Sequence, residues 1–213
     1  MPLAPRSNPL TASNTGGEKK KTKDWQARLS SNTRLGRRAV KRKTFNALKV
    51  QNAAKHIREL PCPDEVLHCV MRGNYNGFDL VPAIYRLAHR PLLGLSIATL
   101  GFNSSNANGL CDMIDAGQVE GRGVILVCST FYAQEKNSIA DQLADELAAR
   151  GGQLAARQSH AKVIACKTAD GNAYVIESSA NLRSCNAIEQ FTLSNSIDVY
   201  NFHRAWLTEI CQT

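Results

Sequence analysis

Five side chains between residues 160 and 189 are of the types that handle a phosphate: His160, Lys162, Ser179, Asn181 and Glu189. A lysine offers a compact positive charge, and a serine hydroxyl and an asparagine carboxamide offer neutral donors to non-bridging oxygens. A neutral imidazole serves as nucleophile or general base. Glu189, a few residues beyond Asn181, suits the second ring nitrogen of His160 and would fix its tautomer. This chemistry calls for no metal and no cofactor.

The spacing works only if the backbone turns back on itself between Lys162 and Ser179. Asp170-Gly171 lies between apolar runs at 161–168 and 173–178, and Asp-Gly is a strong signal for a two-residue hairpin loop. With those two residues as the loop, Ala169 pairs with Asn172, Lys162 falls opposite Ser179, and His160 falls opposite Asn181. Directly opposed residues share a face, so the four converge near the open end of the hairpin. A three-residue loop would shift this pairing. Each residue also has a plainer role. His160 suits the surface end of a strand, and Lys162 suits an ion pair with Glu177, which the same register puts on its face. Ser179 and Asn181 suit the cap of a helix over 182–187, and Glu189 suits the start of the next strand.

The run Ser159-His160-Ala161-Lys162, then Ser178-Ser179-Ala180-Asn181-Leu182, then Asn186 to Glu189 resembles the signature of the phospholipase D-like superfamily. That signature is H-x-K, a spacer, G-S-x-N and a downstream Glu. The similarity in organisation covers roughly residues 63–210, and the chain is similar to short single-motif members carried by phages and prophages. The resemblance implies a metal-independent phosphodiesterase in which His160 attacks phosphorus to form a phosphohistidine. A second histidine protonates the leaving group, and water then releases the product. With one motif in the chain, it implies a homodimer with a composite site on the two-fold axis. A nuclease or other nucleic-acid-processing enzyme is the implied activity; the alternative is a catalytically inactive nucleic-acid-binding protein. Two positions depart from the family pattern: Lys167 stands where an Asp is usual, and Ser178 where a Gly is usual.

The elements that must carry these residues read as α/β. Strands are expected at 66–71, 95–100, 123–128, 153–159, 161–168, 173–178 and 190–194, and helices at 78–88, 106–116, 134–150 and 199–211. The strand–helix alternation of the first half predicts a mixed, mostly parallel sheet with helices on both faces, joined by a hairpin in the second half.

The chain has 213 residues, of which 43% are apolar, enough for one globular core. It contains no apolar run near the roughly 20 residues of a spanning helix, no collagen repeat and no heptad series. The net charge of +8 is unevenly spread: residues 1–60 hold 15 Lys/Arg against 3 Asp/Glu, whereas residues 61–213 hold 11 against 15. A basic arm over 1–60, disordered at first and then partly helical, is therefore expected ahead of a mildly acidic α/β domain over 61–213. The block Arg37, Arg38, Lys41, Arg42 and Lys43 suits nucleic-acid phosphates, with DNA favoured over RNA as partner. No strongly amphipathic membrane helix stands out, so no stable membrane association is expected. The seven cysteines show no C-x-x-C pair and no zinc spacing, and the N-terminus has no secretory h-region. They read as reduced thiols in a cytoplasm, that of a bacterium or a phage-infected host.

Overall fold

Alternating and continuous apolar runs between residues 66 and 195 form one seven-stranded sheet in the order β1-β7-β6-β5-β2-β3-β4. The computed structural model describes residues 42–133, 139–183 and 187–213, with the backbone alone for 42–47. The described residues belong to a compact unit, Val40–Thr213. Its strands are β1 (Val66–Met71), β2 (Leu92–Thr99), β3 (Val124–Ser129), β4 (Gln153–Arg157), β5 (Val163–Thr168), β6 (Ala173–Ser178) and β7 (Glu189–Asn195). The helices are α1 (Arg42–Ile57), α2 (Leu80–Ala88), α3 (Ser104–Asp115), the single turn α4 (Thr130–Ala133), α5 (Ile139–Ala149) and α6 (Ile197–Gln212).

β3 is apolar from Val124 to Cys128 and wholly buried, as an interior strand covered on both faces must be. Its parallel partners are β2 and β4. The remaining four ladders, β2–β5, β5–β6, β6–β7 and β7–β1, are antiparallel. The sheet is therefore mixed as expected, but not mostly parallel. The reason is where the second half inserts. Strands β5, β6 and β7 run as a meander and separate β1 from β2, so the first strand pairs with the last instead of with its successor.

One face of the sheet packs Leu95, Ile97, Ile164, Ile176 and Leu193 against residues of α1, α2, α3 and α5. The other packs Ala98, Val127, Ala165 and Val175 against Tyr200 and Leu207 of α6. Arg204 fastens α6 by donating to Ser96 Oγ and to the Gly123 carbonyl, at 3.0 and 2.6 Å. Ala53, Ala54 and Ile57 of α1 are buried in the shared core. The helical part expected of the arm is thus packed into the α/β body. Among the described residues no helix is long and apolar enough to cross a membrane, and the six described cysteines are free.

Candidate active site

The carboxyl ends of β1, β2, β3, β4 and β6 and the amino ends of β5 and β7 lie along one edge of the sheet, as the ladder registers require. His160 and Lys162 belong to the link from β4 to β5, Ser179 and Asn181 follow β6, and Glu189 opens β7. All five therefore share this edge, where ligand crevices form in α/β sheets. Three further cationic residues are found here beside Lys162: Arg72 after β1, Arg157 ending β4, and Arg183 after Asn181. The carboxylates at the same strand ends are Glu177 and Glu189. Among the described residues the edge carries four cations against two carboxylates.

The hairpin differs from its expected form by one residue. Ala169, Asp170 and Gly171 make a three-residue loop: Gly171 N donates to Thr168 O at 3.0 Å and Thr168 N to Asn172 O at 2.9 Å. Asp170 accepts from Thr168 Oγ1 and from Asn172 N, and Gly171 holds φ +92°, which glycine adopts freely. The side-chain bonds from Asp170 add the third residue to the turn. Val163 consequently pairs with Glu177, and Ser178, not Ser179, donates its N–H to Lys162 O at 3.1 Å. The expected pairings of Lys162 with Ser179 and of His160 with Asn181 are overturned. So is the alternative ion pair, because Glu177 faces α6: its Oε1 meets His203 Nε2 at 3.2 Å.

What brings the serine and asparagine into place is hydrogen bonding beyond the ladder. Ser179 Oγ donates to the Glu189 carboxylate and accepts from Gln190 N at 3.1 Å. Glu189 thus orients the serine hydroxyl, whereas it was expected on the histidine ring. Asn181 is pinned across the edge. Its Oδ1 accepts from Leu100 N at 3.1 Å, just past β2, which leaves the amide NH2 as its outward donor. Next to it, Leu182 N donates to Thr99 Oγ1 at 3.3 Å, and Leu182 O accepts from Phe78 N at 3.3 Å. Asn181 is therefore held by β2 and the loop after β1, and it caps no helix among the described residues. His160 is exposed, and Lys162, half-buried, donates from Nζ to His160 O at 2.8 Å. That bond uses one of three ammonium donors.

Behind Asn181 the loop 73–79 is built for close approach. A Cβ on Gly77 would stand 2.6 Å from Asn181 O. Asp79, 5% exposed, accepts from Asn76 N at 2.6 Å, and Lys49 Nζ donates to Asn76 Oδ1 at 3.1 Å. Burial pushes the Asp79 carboxyl above its ordinary value, against the pull of the Asn76 amide and the Lys49 charge. The loop before α3 does what an N-cap does: Asn103 and Asn106 form a reciprocal capping box.

Sequence patterns missed the trio on the opposite face. Trp206 Nε1 donates to His203 Nδ1 at 3.1 Å, so Nε2 carries the proton offered to Glu177. Residues 177 and 203 carry no local signal of this pairing, since only the β6–α6 packing brings them together. A cleft of about 730 Å³ between α3 and α5 is lined by Asp112, Asp115, Asp145, Glu146 and Arg150, which pairs with Asp115 and Glu146, a lining that stays net acidic. Among the described residues no three His, Cys, Asp or Glu side chains are grouped as metal ligands. Of the basic block, Arg37, Arg38 and Lys41 lie outside the described residues, and Arg42 and Lys43 open α1 with side chains not described. No protein-family model matches the sequence, and no curated protein matches it.

Proposed function

We propose that the chain is a metal-independent phosphodiesterase with a phospholipase D-like fold, most suited to nucleic acid, acting as a homodimer. The observation that carries this reading is the common edge: His160, Lys162, Ser179, Asn181 and Glu189 come from two links and the start of β7 yet share one rim of the sheet. Lys162, the Ser179 hydroxyl and the Asn181 amide are the donors for non-bridging oxygens. A ring nitrogen of His160 attacks phosphorus, forming a P–N bond as the bond to the leaving oxygen breaks. That oxygen takes a proton from the imidazole of His160 of the partner subunit. The same imidazole then removes a proton from water, whose oxygen attacks phosphorus, breaks the P–N bond and restores the first ring. The basic N-terminal extension supplies further cations for the polyanion.

The two departures from the family pattern do not obstruct this scheme. Lys167 lies at the far end of β5, opposite Ala173, about 17 Å along the strand from Lys162. The hydroxyl of Ser178 donates to Gln190 O at 3.0 Å and accepts from Ala180 N at 2.8 Å, so it serves the local backbone.

The test is cleavage of DNA and of bis(4-nitrophenyl) phosphate with and without a chelator. His160→Ala is expected to lower turnover by at least about 1,000-fold, as loss of a nucleophile does, and EDTA to leave it unchanged. Cleavage that survives the substitution, or stops with EDTA, ends the proposal. A second reading, nucleic-acid binding without turnover, is favoured by one observation: Glu189 bonds Ser179 and not the His160 ring. In that case the wild-type chain binds DNA without cutting it, and His160→Ala binds equally well.

A further inference from the structure

A cavity of about 390 Å³ opens between α1, α3 and the loop that leads into α2. Its apolar walls include Val50 of α1, Met113 of α3 and Phe78. Gly109 also lines it, in the middle of α3, where glycine is a poor helix former. A Cβ there would stand 2.9 Å from Phe78 Cε1, so the missing side chain is what admits the ring.

Two polar side chains reach the cavity with bonding capacity left over. Asp79, 5% exposed, is the N-cap of α2 but makes no cap bond. Its Oδ2 accepts from Asn76 N, and its Oδ1 has no partner among the described residues. Asn106, also 5% exposed, spends Oδ1 on Asn103 N at 3.1 Å. That bond sets the orientation of the amide and leaves Nδ2 as a donor with no described partner. No described side-chain polar atom is both fully buried and unpaired, so this acceptor and this donor are reached from the cavity that both residues line. The cavity adjoins the candidate catalytic edge on two sides. Phe78 N donates to Leu182 O, one residue beyond Asn181, and a Cβ on Gly77 would meet Asn181 O. Asn103 lies just past Leu100, whose N–H holds Asn181 Oδ1.

We propose that this cavity receives a nucleobase of the substrate, the base next to the phosphate held at the edge. The apolar walls suit the faces of a planar ring. The open acceptor and donor suit its edge, since every nucleobase presents an N–H group beside a carbonyl or ring-nitrogen acceptor. Asp79 and Asp112 line the cavity and no described Lys or Arg does, so it disfavours a phosphate and leaves that group to the edge outside. The volume lies within the roughly 300–1,000 Å³ of small-molecule sites. The position of the attached phosphate rests on the phosphodiesterase reading; the match of cavity to base does not.

Titration of the full chain with guanosine, adenosine, cytidine and thymidine, read by saturation-transfer NMR, tests the proposal. Asp79→Asn and Asn106→Asp each keep the acceptor that the neighbouring backbone N–H uses and reverse the group left open. Val50→Trp, at a half-buried position, fills the cavity, and thermal melts check that each variant is folded. At least one nucleoside is expected to bind, and each variant to weaken it at least about tenfold. No binding, binding that survives Val50→Trp or both polar substitutions, or displacement by inorganic phosphate overturns the proposal. An oligonucleotide and its abasic counterpart are then compared as substrates. The wild-type kcat/KM is expected to be at least about tenfold higher with bases present, a preference that Val50→Trp removes. Nucleoside binding without turnover keeps the cavity assignment and ends the phosphodiesterase reading. Turnover without nucleoside binding, or without preference for bases, keeps that reading and ends this proposal.

Discussion

The side chains at the candidate catalytic edge differ in how firmly they are held. Asn181 and Ser179 are each fixed by bonds to backbone N–H groups of another segment, Leu100 and Gln190. His160 and Lys162 sit on a short link, exposed and half-buried, and the Lys162 ammonium donates to the His160 carbonyl. On the proposed function the pair held by these bonds positions a phosphate and the pair on the link reacts with it. The supporting loop has its own titration. Burial raises the folded-state value of Asp79 above the ordinary 3.8, so the carboxyl favours the folded chain most below 3.8, and this contribution is lost as pH rises through the raised value. Asp79→Asn is therefore expected to be more stabilising, relative to the wild-type chain, at pH 7 than at pH 4. Thermal melts at the two values check it, and a difference of opposite sign refutes the burial argument. The residue types of the site are legible in the sequence, but their partners are not. Glu189 was open to His160 by chemistry and is taken by Ser179 because β7 begins beside the end of β6.

At the scale of elements, the site depends on where strands stop. β6 ends at Ser178, Ser179 N still donates to Gln190 O at 3.0 Å, and residues 181–182 are caught by Thr99 and Leu100 on one side and by Gly77 and Phe78 on the other. Gly77 is the tightest of these contacts. In Gly77→Ala the new Cβ would meet the Asn181 carbonyl at 2.6 Å, an overlap that only backbone movement relieves. The substitution is expected to destabilise the fold by about 1–3 kcal/mol and to lower turnover beyond that, because Asn181 must shift. Chemical denaturation together with activity under folding conditions separates the two effects. Most strands and helices were legible from periodicity: β1 and β6 have the expected bounds, and the others differ at their ends. The turn was not legible at the level of one residue. Asp-Gly signals a hairpin, but Thr168 and Asn172, through their bonds with Asp170, decide that the loop has three residues, and a one-residue change reverses which face each partner occupies.

For the whole molecule, charge and topology divide the work. The N-terminal 60 residues carry a net +12 and the remainder −4, so the proposed function assigns affinity for a polyanion chiefly to the extension and chemistry to the sheet edge. Neutralising Arg37, Arg38, Lys41, Arg42 and Lys43 together is expected to weaken DNA binding and flatten its salt dependence, by up to about 4 in the slope of log K against log salt. Fluorescence anisotropy titrations between low and moderate salt check this; an unchanged slope places the polyanion elsewhere. The amino-acid sequence alone determined the α/β class, the charge asymmetry and the cluster of phosphate-handling residue types, because composition and periodicity are local and additive. Only the tertiary structure decided that β1 pairs with β7, that Glu177 belongs to His203, and that Asn181 is held by Leu100. Each of those depends on which distant segments pack side by side, and no local run of residues encodes that.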